Sequence, residues 1–337
     1  MKTLTILIWL LLVLAGGSLI YHFSEPSKRS IFTKRATGAA YEVLVVMDKE
    51  YWNREAGKLL KKQLIAPIPG LPQIEPSMRV TYAEPNQFNG LLRYVRNIIQ
   101  VQIDKSLYTK ITVSKEQDVW ATGQELIRIY APSEELLIPY LEEEGSLLVS
   151  YLETKERERY AAYLDESHNL WVQDSVMSQF QVQLFAPKEI SSSKTSTDFF
   201  WATDHGRNGR TDFVLYSFPY IDERTFSLDY LVTKRDSVLG KQIKGAYPDS
   251  YMTTVKHLTP SYETVKLNHT YCGVLRGLWE MEGDMMGGPF VSYAYLDEKN
   301  QRIVVAETFV YAPNTDKAKF IRRGEAVLHT LRFMDTD

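Results

Sequence analysis

The stretch from Arg276 to Phe290 carries three carboxylates (Glu280, Glu282, Asp284), three thioethers (Met281, Met285, Met286) and the run Gly287-Gly288-Pro289. Carboxylates grouped in this way could do general acid–base work, as in a hydrolase. That requires at least two of them, or one with Arg235, to converge in an open pocket where burial raises a carboxyl pKa. Spacing alone names no acid and no base. The thioethers suggest a different use, because exposed methionines adapt to partners and buried ones fill irregular gaps. Three roles therefore stand side by side for this stretch: a loop folded back over a core, a binding lip, or a catalytic loop. The binding candidates are Arg235, Glu280, Glu282, Asp284, Met285, Met286, Gly287 and Gly288; no residue is assigned as catalytic and none as a metal ligand.

The elements that must position these groups follow from the flanking sequence. Apolar runs at 271–279 and 290–295 read as strands. Gly287 and Gly288 allow backbone angles that a side chain forbids, and Pro289 fixes φ and removes a donor. The expected geometry is two strands joined by a shaped loop. Arg235 sits on a helix expected over Phe226–Ile243, on the same side as Leu228, Leu231, Val238 and Ile243. A guanidinium there needs a partner, because an unpaired buried charge is very costly. Glu280, Glu282, Asp284 and Glu307 are the candidates, and a structural ion pair is favoured over a ligand clamp.

The wider search for chemistry returns little. Six histidines (His22, His168, His205, His257, His269, His329) include no pair at helical ligand spacing, and none neighbours the single cysteine, Cys272. A structural zinc site is unsupported. Cys272 lies in an apolar run and reads as a buried, inert thiol. No nucleophile elbow, phosphate loop or dinucleotide fingerprint occurs in its needed context, and no cofactor is expected.

The chain has 337 residues and a formal net charge of -3, with 21 tyrosines. Its length suits two domains, and its charge balance lacks the basic bias of a nucleic-acid surface. Thr3 to Tyr21 is free of charge and reads as a signal segment or membrane anchor. Leu14-Ala15-Gly16 approaches a lipoprotein cleavage pattern, but Gly17 stands where the lipid-bearing Cys is required. An uncleaved anchor is favoured because the apolar run resumes at Leu19.

The expected domains are 1–23 (signal or anchor), 24–40 (linker), 41–168 and 169–337. In the first, Tyr41–Met47 is a central strand, Asp48 caps a helix carrying Tyr51, Trp52, Leu59, Leu60 and Leu64, and Met78–Tyr82 is a strand. Asn86–Arg96 is a short helix with Leu91 inward, residues 99–103 and Glu125–Tyr130 are strands, and Ser133 caps a long helix running toward Asp165. In the second, Phe180–Leu184, Asp198–Thr203, Thr211–Phe218, Thr264–Trp279, Pro289–Leu296 and Arg302–Tyr311 are strands. Gly206–Arg210 is a hairpin turn, and a last helix, capped by Asn314 or Thr315, ends near Phe333. The fold class is α+β, with two α/β sandwich domains whose sheets are mixed or antiparallel, preceded by one hydrophobic helix.

Several segments together resemble a Bacteroidetes family of envelope lipoproteins defined by a domain of unknown function (4837). They are Tyr41–Asp48, Pro69–Gln73, Arg96–Ile99, Asp118–Ala121, Lys234–Leu239, Ser250–Thr254, the stretch from Arg276 to Phe290, and Phe309–Pro313. The missing cysteine departs from that family's lipoprotein pattern. A second resemblance, of fold only, links the element order from Phe180 to Phe333 to the α/β/α sandwich of photosystem extrinsic proteins and their Ran-binding relatives. The family supplies no activity, and a likeness of fold licenses no function. The anchor segment, the lack of a recognisable catalytic set and the loop of Met, Gly and carboxylates give the reading: a membrane-tethered, non-catalytic binding or assembly protein of the cell envelope, its bulk periplasmic. Its partners would be the membrane, through Thr3–Tyr21, and an envelope protein or small ligand. An envelope hydrolase using the carboxylates of 280–284 and a purely structural envelope spacer are the alternatives.

Overall fold

Residues 34–334 are described by the computed structural model. The expected anchor, Thr3–Tyr21, and most of the expected linker lie outside them. Within these residues the chain forms two large sheets and six α-helices, a mixed α+β architecture.

The first sheet grows from a strand with no polar face. β1 (Glu42–Val46) lies between β2 (Arg79–Ala83) and β3 (Asn97–Ile103), parallel to both. β5 (Glu125–Ala131) continues the parallel set, and β4 (Thr112–Gln117) closes one edge antiparallel. Val43 and Val45 enter one core, while Leu44 and Val46 enter another on the opposite face. Burial on both faces removes the need for polar alternation, and that is why this run was legible as a central strand.

The helix expected after Asp48 breaks at Arg54 into α1 (Lys49–Asn53) and α2 (Glu55–Leu64), and the Asp48 side chain makes no capping bond. Leu60 and Leu64 are buried as expected. The helix expected over Asn86–Arg96 is a single 3₁₀ segment, Gly90–Tyr94, and Leu91 is 82% exposed, not inward. Residues 34–37, expected as linker, bond through Lys34, Ala36 and Thr37 backbone groups to the segments that lead into β3 and β5.

A single long helix serves both halves. α3 (Glu134–Glu166) has 33 residues, about 50 Å at the usual rise; Ser133 stands at its start, but its side chain does not make the expected capping bond. Leu137, Leu141, Leu148 and Leu152 pack in the first core, and Leu164 packs in the core of the second half.

The second sheet is antiparallel throughout. Its strands are β7 (Ser192–Ser196), β8 (Phe199–Thr203), β9 (Arg210–Pro219), β10 (Tyr251–Thr254), β11 (Ser261–Leu267), β12 (Thr270–Glu282), β13 (Gly287–Asp297) and β14 (Arg302–Tyr311). They follow the order β10-β12-β13-β14-β9-β8-β7, with β11 also paired to β12. Alternation along β9 sends Phe213 and Leu215 to one face and Val214 and Tyr216 to the other, as a period of two requires. The first face is covered by α4 (Leu170–Phe180) and α6 (Ala318–Leu328), the second by α5 (Leu228–Gln242). Helices on both faces give this half an α/β/α layering.

Three local expectations are corrected here. Phe180 ends α4; Gln181 then turns left-handed at φ 57°, leaving only the short β6 (Val182–Gln183), which pairs with β15 (Arg332–Phe333). Thr264–Trp279 is not one strand, because Asn268 and His269 both adopt positive φ (48° and 67°) and fold β11 back on β12. The last helix ends at Leu328, before β15, and its N-terminus is capped by neither Asn314 nor Thr315. Instead the Glu75 carboxylate, from the first half, accepts the backbone N–H groups of Lys317 and Ala318 at 2.8 and 2.9 Å. Those are orphan donors of a helix start, so an anion from outside the helix satisfies them and complements its dipole. Arg322 adds a second tie between the halves. It donates to the Ser77 carbonyl and to Glu153, each at 2.8 Å, and lies 3.8 Å over the Tyr41 ring.

Candidate functional site

The run of carboxylates and methionines between Arg276 and Phe290 is a tight hairpin and not a long shaped loop. β12 and β13 remain in register out to Glu280 opposite Gly287, and the Met281 N–H donates to the Met286 carbonyl at 2.8 Å. Only residues 283–286 lie between the two strands, with Gly283 supplying the left-handed φ of 78°. Gly287 and Gly288 therefore do not shape a loop; they are strand residues. At Gly288 the reason for glycine is close approach. A Cβ there would fall well inside contact distance of the Val310 carbonyl oxygen, which already accepts the Trp279 indole N–H at 3.2 Å. Gly288→Ala is expected to cost about 2 kcal/mol, as overpacking does, measured by denaturant unfolding.

The candidate side chains do not converge. Glu282 pairs with Lys256 at 2.8 Å on the surface, a contact of small energetic worth. Asp284 closes the turn, accepting from the Met285 N–H at 2.7 Å and the Ala246 N–H at 3.1 Å. Glu280 is half-buried opposite Thr253 of β10. Met281 is buried and Met286 packs partly against the core beneath α5, whereas Met285 is 99% exposed. Tyr247 and Tyr251, both exposed, lie on the segment that bonds the turn.

Arg235 is elsewhere, sealed between α5 and the sheet. Its Nη2 donates to Glu307 Oε1 at 2.7 Å, and its Nε contacts both carboxylate oxygens at 3.1 and 3.0 Å. Nη1 donates to the Thr254 hydroxyl at 3.0 Å, and the Phe290 ring lies 3.8 Å from the guanidinium. Burial pushes the Glu307 carboxyl up, and Arg235 opposes that shift. This is the structural ion pair the sequence favoured. The hydrolytic arrangement of Arg235 with Glu280, Glu282 or Asp284 is not formed.

A second cluster was not foreseen. Between α3 and the face of β11, β12 and β13 lies a cleft of about 840 Å³, with Arg157, Arg276, Tyr293 and His329 among its lining. At its inner end Glu325 Oε1 accepts from Arg276 Nη2 and from the Tyr293 hydroxyl, both at 2.7 Å. That hydroxyl has one proton, so it accepts from Nε2–H of His329 at 2.8 Å, which makes His329 the Nε2–H tautomer. Burial lowers the His329 pKa to about 4, against the pull of Glu325. Burial acts to raise Glu325, but Arg276, Arg157 and His329 together hold it down to about 2.

Signals for part of this cluster exist in the chain. Glu325, in the last helix, and His329, its C-cap, stand four apart, one turn along a shared face. Arg157 lies in the charge-alternating run 153–159, which reads as a solvated face until the second half is packed against it.

A third hollow, about 420 Å³, is lined by Tyr160, Phe213, Phe320 and Arg323. Near it Ser192 Oγ lies 2.7 Å from His205 Nε2. The adjacent Asp204 accepts from the N–H groups of Gly206 and Thr211, and among the described residues no hydrogen bond joins a carboxylate to the His205 ring, as the orienting group of an activated serine would.

With this geometry in view, the class of protein is a two-part α+β chain whose halves meet along one shared helix. Residues 169–330 match the family model described as "Domain of unknown function (DUF4837)". Residues 36–165 match a separate one, "Domain of unknown function (DUF8532)". The chain is thus similar to two families of unknown function in separate stretches, and the 4837 likeness falls on the second half. No curated protein matches the chain. Among solved structures, a point mutant of protein Mog1 covers 46% of this chain and 92% of its own, at 8% identity and a TM-score of 0.30. The Saccharomyces cerevisiae Ran-binding protein Mog1p covers 46% and 91%, also at 8% and 0.30. A Bacteroides thetaiotaomicron protein covers 46% of each chain at 13% identity and a TM-score of 0.25.

Proposed function

We propose that this chain is a non-catalytic binding or assembly module of the cell envelope, tethered by Thr3–Tyr21 with its two domains, 41–168 and 169–337, on the periplasmic side. The observation that carries the reading is the hairpin tip. Met285 is 99% exposed on a turn whose strands are paired to within a few residues of it. A thioether with no intramolecular packing is held out on a rigid support, and methionine adapts its shape to a partner's surface. Tyr247 and Tyr251 widen the apolar area beside it. The charge-free amino-terminal run and the resemblance to Bacteroidetes envelope lipoproteins supply the tethering part. A purely spacing role gives no reason for an apolar tip of this kind.

The test places a photoreactive residue at position 285 in native envelopes, with position 91 of the other half as the exposed control. A discrete protein adduct at 285 that is absent at 91 is the expected result. The adduct should disappear when Tyr247 and Tyr251 are also changed to Ser. Identical adduct patterns at the two positions, or recovery of the chain in the soluble fraction, would overturn the proposal.

A further inference from the structure

We infer that the cleft between the two halves is a binding site for a small carboxylate-bearing molecule, received by Arg157 and Arg276. This goes beyond the hairpin contact and is independent of it. The starting observation is a pair of unmet donors. Arg276 Nη1 and Arg157 Nε are buried polar atoms without a hydrogen-bond partner. A buried donor on a charged group costs more than a neutral one when unmade, and such orphans mark the place of an ion or water.

The two guanidinium groups converge. Both approach the same oxygen, Glu325 Oε1, Arg276 at 2.7 Å and Arg157 at 3.9 Å. Glu325 thus stands between two cations, and Arg276 also meets Glu263 at 3.6 Å, so Arg157 is the guanidinium of the two without a close carboxylate. Arg157 is the less engaged of the two, since among the described residues its only close bond is from Nη2 to the Thr154 hydroxyl at 3.1 Å.

Two further features choose the ligand's class. The mouth carries exposed acids, Glu158, Asp165 and Glu263. They repel a phosphate dianion or polyanion more than a single carboxylate, and they favour a ligand with a cationic end. Pro69, Ala161, Phe185 and Val265 give the walls between them apolar area, beside the polar Gln183 and Asn268. A volume of about 840 Å³ is the size of a small-ligand site. A carboxylate has two oxygens for two orphan donors, and guanidinium–carboxylate pairing is strong because both partners are charged. Free organic acids and the carboxyl ends of amino acids or short peptides share this chemistry.

The experiment uses the full-length chain in a nonionic detergent, titrated with acetate, diglycine and inorganic phosphate at ionic strength matched with sodium chloride. Saturable binding is read by ligand-observed NMR and by thermal stabilisation. Acetate or diglycine should bind and phosphate should bind more weakly. Binding of both carboxylates includes peptide ends among the ligands, and acetate alone restricts the site to free acids. Arg157→Gln should weaken the binding at least about tenfold, which corresponds to about 1.4 kcal/mol. It should leave the fold intact, because Arg276 and Tyr293 still hold Glu325. Ala162→Trp, at an exposed position on the cleft wall, should block binding without touching the charges. No response beyond that of sodium chloride, phosphate binding as tight as acetate, or unchanged affinity in folded Arg157→Gln would each overturn the assignment.

Discussion

Replacing Arg235 with Met is expected to lower the unfolding free energy by about 3–5 kcal/mol, because it strands a buried carboxylate. Glu307 has no exposed surface and Arg235 only 1%. With the guanidinium gone, Glu307 keeps few of its bonds in a layer between Phe290, Tyr216 and the underside of α5. The double variant Arg235→Met, Glu307→Leu should recover most of that loss, since it removes both charges together. Replacing a buried ion pair by apolar groups of similar volume is often nearly neutral. Urea unfolding of the two single variants and the double variant, treated as a cycle, gives the coupling. If Arg235→Met unfolds within about 1 kcal/mol of the parent, the pair is not the structural lock its burial implies.

The same pair shows how far the amino-acid sequence reaches. Helical spacing put Arg235 among Leu231, Val238 and Ile243, and the cost of an unpaired buried charge demanded a partner. Glu307 was among the four candidates, but nothing local could select it, because pairing depends on the register of β14 beside β13. The alternation of β9 and the two-faced burial of β1 were legible because each is a pattern of period two or of none. The β11–β12 hairpin was hidden for a specific reason. Asn268 and His269 occupy left-handed conformations without a glycine, so the usual Asn-Gly punctuation is missing. Gly287 and Gly288 misled in the opposite direction. Their glycines looked like turn residues, whereas Gly288 answers to the carbonyl of Val310, a residue on no adjoining piece of sequence. The cleft could not be read at all as a site. Its groups come from α3, β12, β13 and α6, and only docking of the halves through Glu75 and Arg322 brings Arg157 within reach of Glu325.

That docking gives the second large effect, a loss of stability on mild acidification. His329 has an ordinary pKa near 6.5 in the unfolded chain, and burial lowers it to about 4 in the folded one. Between those values the unfolded state binds a proton that the folded state refuses. Stability therefore rises with pH in this window, and it is lost as pH falls from about 6.5 toward 4. Complete passage through the window should remove about 3 kcal/mol. The imidazole is 22% exposed, so solvent screens it little. Glu325 acts in a lower window. Its folded pKa of about 2 is below the ordinary value near 4.3, so its contribution is intact above that value and fades only as pH falls toward 2. The two steps are thus separable by pH. His329→Gln keeps a side-chain N–H to donate to the Tyr293 hydroxyl and has no proton to gain. Unfolding free energies measured at intervals from about pH 7.5 to 4 should fall steeply in the parent and markedly less in this variant. Parallel slopes in the two proteins would mean that the folded state takes up the imidazole proton as readily as the unfolded state does, with Nε2–H still donating to the Tyr293 hydroxyl.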